Sequence, residues 1–285
     1  MRRDAQHYLL LDGAQIDDLM QILYQLEPVP EFHKLYDGTC YAELAEVGPV
    51  LIATDHSSLL SQHFKEHWST TAGATLNSRA RTDELIQHLS SLVHASVSGG
   101  VSVLFRYYDP RILHLWLANM NDGQRNTALG PVEQFQLWAH GAWHEFSRSA
   151  PSIAQHYAEN PWLQLSDEQL ASLNQAKQQA FEQTLLEHMD RWFPECLANA
   201  GAREREVWAK ACCVRANEYG FSAAADIVRW AGLSAICGPD FPEAIEHANY
   251  RALLRQPGLL PVQKLDAVRL EAQSQALSHS KDSVA

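Results

Sequence analysis

The chain has 285 residues, of which 46% are hydrophobic and 20% are charged. That length allows one large domain or two modest ones, and that composition excludes an intrinsically disordered protein. The formal net charge is −12, from 34 acidic and 22 basic side chains, so we expect neither nucleic acid nor an anionic membrane surface as a partner.

The cysteines and the N-terminus predict a cytoplasmic protein. There are five cysteines, two of them adjacent at Cys212 and Cys213, and no two have the CxxC spacing. That pattern is neither a disulfide framework nor a zinc knuckle and favours a reducing compartment. The apolar run Tyr8 to Leu11 is shorter than the roughly 7–15 residues of a signal peptide or the roughly 20 of a spanning helix.

Up to about residue 145, short apolar runs alternate with stretches of helical periodicity. The runs that predict buried strands are HYLLLDG, GPVLIAT, GATLNS and VEQFQLWAH. Helices are predicted over residues 14–26, 57–68, 81–92 and about 110–120. HASVSGGVSVLFRYY (94–108) predicts a hairpin that turns at Ser98-Gly99-Gly100, with its second strand reaching Tyr107. We therefore predict an α/β domain over residues 1–145, with a mixed sheet, part parallel and part antiparallel, covered by helices.

After about residue 151, strand signals nearly vanish and helical patterns dominate. The segment 166–193 begins with Ser166 and Gln169 in capping-box spacing and carries an apolar stripe that ends at Trp192. Further helices are predicted over 202–218 and 223–236. We predict an all-α C-terminal lobe over residues 160–280, joined to the first domain through the segment 148–161.

One short motif points to catalysis. His63, Glu66 and His67 have the H-x-x-E-H spacing of inverted zinc peptidases, in which two imidazoles hold the metal and a carboxylate activates water. A zinc-dependent hydrolase is therefore the alternative function, although no local signature marks a third ligand. His140 and His144 have the same spacing, but two ligands do not make a metal site, and we interpret them as polar groups at the rim of the last strand.

No other motif supports catalysis. The sequence has no G-x-S-x-G elbow and no glycine-rich phosphate loop. The main prediction is a protein without catalytic residues, cofactor or metal.

The stretch FRYYDPRIL (105–113) is predicted to shape the fold. Asp109 fits a helix N-cap and Pro110 the first helical position, where a missing N–H costs nothing. Arg106 is expected to keep its charge by pairing with Asp12 or with Asp109. Trp138 and Trp143 lie near the end of the α/β half and are candidate partner contacts, because aromatic side chains anchor interfaces.

Several motifs resemble, in this order, the adaptor-chaperone family of bacterial type VI secretion. They are YLLLDGAQ, LYDGT, EVGPVLI, GATLNS, VSVLFRYYDPRIL and LGPV. The family pattern falls on Asp12, Gly13, Gly48, Pro49, Gly73, Ser78, Arg106, Tyr108, Asp109, Pro110, Arg111, Gly130 and Pro131. The residues of the hairpin SGG and of the sequence ALGPV differ from those that the family usually has at these positions. The match covers about residues 7 to 140, and the C-terminal half is similar only in being helical.

The resemblance implies a non-catalytic binder. Such an adaptor holds the N-terminal segment of an effector toxin on one surface and meets the VgrG spike with another, so that the toxin is loaded before firing. Binding by a sheet edge and binding by a helical groove in the C-terminal half both remain open. A self-assembling structural protein is a third interpretation. Stoichiometry and the identity of the effector are not predicted.

Overall fold

The computed structural model describes residues 4–238 and 240–282, with side chains up to residue 275. The chain divides into two compact units, Met1–Asn174 and Gln175–Ala285. The first unit extends past residue 145 because the segment after the last long strand packs on it, with Leu163 and Leu165 buried in its core. The division into domains at 1–145 and 160–280 stays a prediction.

The first unit is built on two sheets. The described strands are β1 (Gln6–Asp12), β2 (Phe32–Lys34), β3 (Pro49–Thr54), β4 (Gly73–Ser78), β5 (His94–Val97), β6 (Val101–Leu104), β7 (Val132–Ala139), β8 (Ala142–Ser147) and β9 (Leu163–Gln164). Six of them form a sheet in the order β2-β3-β1-β4-β7-β8, in which every neighbouring pair is antiparallel. The predicted hairpin β5–β6 lies in a separate sheet, where β5 pairs in parallel with β9.

Helices cover both faces of the six-stranded sheet. In the first unit they are α1 (Leu19–Leu26), α2 (Leu59–His63), α3 (Thr82–Ser91), α4 (Pro110–Ala118) and α5 (Asp122–Leu129). One face, which includes Tyr8 and Leu10, packs on α3, α4 and α5. The opposite face, which includes Leu9 and Leu11, packs on α1 and α2. The continuous apolar run of β1 follows from this burial on both sides.

The structure corrects three predicted elements. The helix predicted over 14–26 begins at Leu19, because Asp12 caps a short 3-10 turn, Gly13–Gln15. The helix predicted over 57–68 is α2 followed by a π-helical turn, Phe64–Trp68. The strand predicted to reach Tyr107 ends at Leu104, because a turn closes with Asp109 N bonded to Arg106 O at 3.1 Å and Tyr107 turns inward.

Helix α5 and strand β8 were not predicted, although the sequence carries a signal for each. Helix α5 begins with a capping box formed by Asn121 and Gln124, a signal that was present in the sequence. Strand β8 follows β7 through a two-residue turn at His140 and Gly141, both with positive φ, which is the hairpin geometry that matches strand twist.

The second unit is helical in its described part. Helix α6 (Asp167–Trp192) enters it from the first unit, and α7 (Ala202–Glu218), α8 (Ala224–Cys237), α9 (Ala248–Leu254) and α10 (Pro261–Asp282) follow. The capping box at Ser166 forms as predicted. The predicted stripe of α6 is buried at Leu185 and Met189, but Trp192 is 60% exposed. The α/β class with an all-α C-terminal lobe is confirmed.

Within residues 4–238 and 240–282, no helix combines the length and the apolar composition that crossing a bilayer requires.

Candidate partner-binding site

An ion pair joins the end of β1 to the segment before α4. Arg106 Nη2 donates to Asp12 Oδ2 at 2.5 Å, and Asp12 Oδ1 accepts from Ala14 N at 3.2 Å. Asp12 has no exposed surface, whereas the Arg106 side chain is 38% exposed. Burial raises the pKa of Asp12, and the hydrogen bond and charge of Arg106 oppose that shift. Of the two partners predicted for Arg106, Asp12 is the one it contacts.

Tyr108 and Tyr36 contact each other next to this ion pair, inside the fold. The hydroxyls of Tyr108 and Tyr36 lie 2.5 Å apart, and the Arg106 guanidinium lies 5.8 Å from the centre of the Tyr108 ring. Burial raises the pKa of both tyrosines, so they are neutral at physiological pH. A side chain at Gly48 would place its Cβ 2.5 Å from Tyr36 Cδ2. Gly48 is therefore required by the ring that packs on it.

Glycines at two other motif positions also allow close approach of the backbone. A Cβ at Gly13 would lie 2.5 Å from Gly48 O, which Gly13 N contacts at 3.1 Å. A Cβ at Gly73 would lie 2.3 Å from Leu10 O. Pro49 is the first residue of β3 and pairs with Asp12. These motif positions hold β1, β3 and β4 together.

The Asp-Pro-Arg motif begins helix α4 as predicted. Asp109 is the N-cap and accepts from Arg111 N at 2.9 Å, with Pro110 at the first helical position. Arg111 Nε and Nη2 also donate to the Asp109 carboxylate, at 2.9 and 2.6 Å. Asp109 is therefore occupied by the helix start and by Arg111.

The Gly-Pro motif before β7 packs against a buried histidine. Gly130 has a φ of +54°, and a Cβ there would lie 2.4 Å from His88 Cε1. Pro131 O accepts from Ser78 Oγ at 2.9 Å. His88 belongs to none of the sequence motifs, and its neighbours are set by tertiary packing.

His88 has a defined tautomer. Its Nδ1 accepts from Gln155 N at 3.1 Å, so the proton resides on Nε2, which donates to Ala128 O at 2.9 Å. Burial lowers the pKa of His88 to about 4, against the opposing effect of the Ala128 hydrogen bond. His88 is therefore neutral at pH 7 and ties the segment after β8 to helix α3.

A groove lies on the six-stranded sheet beyond the part that α1 and α2 cover. Its volume is about 550 Å³. Thr75, Gln136 and Glu145 follow one another across β4, β7 and β8 on its floor. The remaining lining residues are His7, His56, Lys65, Ser69, Thr70, Trp138, Trp143 and His144. This region, the β7–β8 groove, combines polar and aromatic side chains.

The two predicted partner contacts meet in this groove. Trp138 and Trp143 are directly opposite each other on β7 and β8, with ring centres 5.6 Å apart in an edge-to-face arrangement. Trp143 is 45% exposed. At the other side of the groove His7 stacks on His56 at 3.7 Å, and burial lowers the pKa of His7. An exposed tryptophan beside a polar floor is suited to binding a polypeptide.

The H-x-x-E-H motif does not acquire a further ligand in the described structure. The rings of His63 and His67 lie 4.4 Å apart, across the junction of α2 and the π-helical turn. His67 and Glu66 are exposed and approach each other at 3.8 Å. Among the described residues, no three His, Cys, Asp or Glu side chains are arranged to hold a metal ion.

The second histidine pair differs from the prediction. His140 lies in the β7–β8 turn, and His144 lies on β8 with Nε2 3.0 Å from Ala139 O. Both rings contact His114 of α4, at 5.1 and 4.4 Å between ring centres. Burial lowers the pKa of His114, and the two neighbouring histidines lower it further. The pair is therefore packed against a helix and not only at a strand rim.

An α/β unit whose motif residues are engaged inside the fold, and which also carries an open groove, defines a scaffold followed by a helical extension. Residues 7–127 match the model of the family described as "Domain of unknown function (DUF4123)". This region is therefore similar to that family, which is known for the effector adaptors and chaperones of type VI secretion, and the resemblance drawn from the motifs is confirmed.

The chain is also similar to the accessory protein VasW of Vibrio cholerae serotype O1. The two are 26% identical over 287 residues, which cover 99% of this chain and 92% of VasW. No solved structure gave a significant match. The findings support an accessory or adaptor role in type VI secretion.

Proposed function

We propose that this protein is a cytoplasmic, non-catalytic adaptor that binds the N-terminal segment of an effector toxin and loads the toxin onto the VgrG spike. The observation that carries the proposal is the match of residues 7–127 to the DUF4123 family. The similarity to an accessory protein along nearly the whole chain supports it. The buried Asp12–Arg106–Tyr108 contacts support it too, because a rigid fold presents a binding surface at low entropic cost.

The effector-binding surface in this proposal is the β7–β8 groove, with Trp138 and Trp143 as its aromatic contacts. The motif residues, by contrast, are proposed to shape the scaffold. They are Asp12, Gly13, Gly48, Pro49, Arg106, Tyr108, Asp109, Pro110, Arg111, Gly130 and Pro131.

The test is co-expression with the effector toxin encoded nearest to this gene, followed by pull-down of the full-length chain with toxin and, separately, with VgrG. We expect a toxin complex that Trp143→Ala weakens by at least about tenfold, as for an aromatic hot spot. Trp192→Ala is the matched control, because Trp192 is also exposed but lies on α6. Equal weakening by both variants contradicts the assignment of the groove, and failure to bind either toxin or VgrG contradicts the adaptor function.

Metal analysis separates the adaptor from a hydrolase. We expect the purified full-length protein to contain no stoichiometric zinc. Zinc at one equivalent that is lost in His63→Ala would instead favour the hydrolase that uses His63, Glu66 and His67.

The domain division is also part of the proposal. The segment 151–158 has no regular secondary structure and separates the α/β region from the helical one along the chain. Limited proteolysis is expected to cut first within residues 148–161 and to leave fragments near 1–145 and 160–280. First cleavage inside either predicted domain would contradict that division.

A further inference from the structure

The outer edge of β8 is open for pairing along its whole length. β8 is an end strand of the six-stranded sheet, and in the described chain no other strand pairs with its outer side. None of the described backbone hydrogen bonds outside the helices and sheets involves residues 142–147. Open edges of this kind are templates for an added strand.

The hairpin geometry determines which backbone groups face outward. In a two-residue hairpin the residues that flank the turn, here Ala139 and Ala142, form a hydrogen-bonded pair, and such pairs then alternate with non-hydrogen-bonded ones. The bond from Arg148 N to Glu133 O at 3.1 Å continues that alternation. The N–H and C=O groups of Trp143, Glu145 and Ser147 therefore point away from β7, to the open edge.

The other long-sheet edge is protected. β2 has three residues and follows Pro28 and Pro30, which cannot donate backbone hydrogen bonds. In its last residue, Lys34, the side-chain Nζ donates a hydrogen bond to Glu46 Oε1 at 2.7 Å. In the smaller sheet, the edge strand β6 has only four residues and adjoins no groove among those described. β8 combines six residues, an uninterrupted register and the neighbouring groove.

The side chains on the groove side of β8 specify the chemistry of the added strand. Trp143 and Glu145 alternate with inward-facing residues and lie on the same face as Trp138. Glu145 forms no ion pair within the described residues, and its carboxylate accepts a hydrogen bond from Ser147 Oγ at 3.1 Å. An added strand would form stabilising cross-strand pairs with β8 if it placed a basic residue opposite Glu145 and an apolar residue opposite Trp143.

Given these observations, and resting on the adaptor function above, we propose that β8 binds an extended segment of the effector by strand addition. The segment has about five residues, with a basic side chain facing Glu145 and an aliphatic or aromatic one facing Trp143. A second copy of this chain is a less favourable occupant, because each copy carries a net charge of −12 and the copies repel.

Hydrogen exchange of the full-length protein tests the geometry. The probes are overlapping 15-residue peptides that cover the N-terminal segment of the toxin encoded nearest to this gene, and the full-length toxin itself. Bound to the toxin or to the tightest peptide, the amides of Trp143, Glu145 and Ser147 are expected to exchange at least tenfold more slowly, while the Ser102 amide on β6 is unchanged. Protection confined to the helices of the second unit would overturn the proposal and favour the helical groove.

Backbone substitution tests it independently. Glu145→Pro removes an outward N–H without removing a bond to β7, and we expect binding of the toxin to weaken about tenfold. Ser102→Pro is the matched control, since Ser102 lies on the edge strand β6, and it should bind as the wild type does. Glu145→Gln keeps the N–H, so it should bind only a few-fold more weakly and with a smaller dependence on salt.

The outcomes separate the two proposals. If the wild type binds neither toxin nor VgrG, the adaptor function fails. If the wild type binds the toxin, and the toxin neither protects the β8 amides nor distinguishes Glu145→Pro from Ser102→Pro, strand addition fails while the adaptor function stands. Concentration-dependent dimers of the free protein that Glu145→Pro abolishes would assign the edge to a second copy and overturn the proposal.

Discussion

The motif cluster around Asp12 and the β7–β8 groove lie in the same unit, and they differ in what their side chains have left to bind. In the motif cluster the polar groups are satisfied inside the fold: Asp12 by Arg106, and Tyr108 by Tyr36. In the groove, Trp143 is half exposed and Glu145 has no ionic partner among the described residues. The motif residues are therefore proposed to maintain the scaffold, and the surface proposed for binding lies elsewhere in the same unit.

If buried side chains set the stability of this unit, protonation of the buried His88 should dominate the dependence of the free energy of unfolding on acid pH. The unfolded chain protonates His88 near pH 6.5, whereas the folded chain does so only near pH 4. The free energy of unfolding should therefore fall as pH decreases from 6.5 to 4, by about 3 kcal/mol, and this contribution is constant below pH 4. Urea unfolding as a function of pH measures it.

Two variants isolate the contribution of His88. His88→Gln should lose that slope, while His67→Gln, which changes an exposed histidine, should retain it. A slope in His88→Gln equal to that of the wild type would show that another group dominates the acid response.

Breaking the central ion pair should have the next largest effect. Arg106→Met leaves the Asp12 carboxylate buried without its partner, and we expect a loss of about 2–3 kcal/mol in the free energy of unfolding. Because the Arg106 side chain is partly exposed, this loss is smaller than the loss expected on breaking a fully buried ion pair. Arg79→Met, at the more exposed pair with Glu133, should cost less than about 1 kcal/mol by the same urea measurement. Similar losses of stability for Arg106→Met and Arg79→Met would contradict a special role for the buried ion pair.

Gly48 tests whether the motif glycines serve packing. Gly48→Ala places a methyl group against the Tyr36 ring and should cost about 2 kcal/mol of stability. Gly123→Ala, in α5, meets only Asn121 Oδ1 at 3.4 Å and should be neutral or slightly stabilising. Thermal unfolding compares the two, and equal melting temperatures would contradict a packing role for Gly48.

A substitution in the β7–β8 groove should have the smallest effect on stability. Trp143→Ala removes a half-exposed side chain, so the free energy of unfolding should change by no more than about 0.5 kcal/mol. Chemical denaturation of the free protein measures this, alongside the binding assays. A loss as large as that of Arg106→Met would mean that Trp143 supports the fold, and the contrast between the two regions would disappear.

Local signals predicted much of the first unit. The apolar runs placed β1, β3, β4 and β7, and the Asp-Pro start of α4 followed from capping alone, because these features depend on neighbours in the chain. Signals for α5 and β8 were also local: a capping box at Asn121 and a His-Gly turn between two alternating runs. The end of β6 was mispredicted because burial of Tyr107 against α3 depends on residues distant in sequence.

By itself, the sequence determined the α/β class, the helical C-terminal lobe, the family resemblance of the first part of the chain and the start of α4, since each depends on composition, periodicity or residues a few positions apart. The tertiary structure alone decided that Arg106 pairs with Asp12, that His88 stays neutral and that β8 has an open edge. Those features depend on which distant segments come into contact, and burial and strand order exist only once the chain has folded.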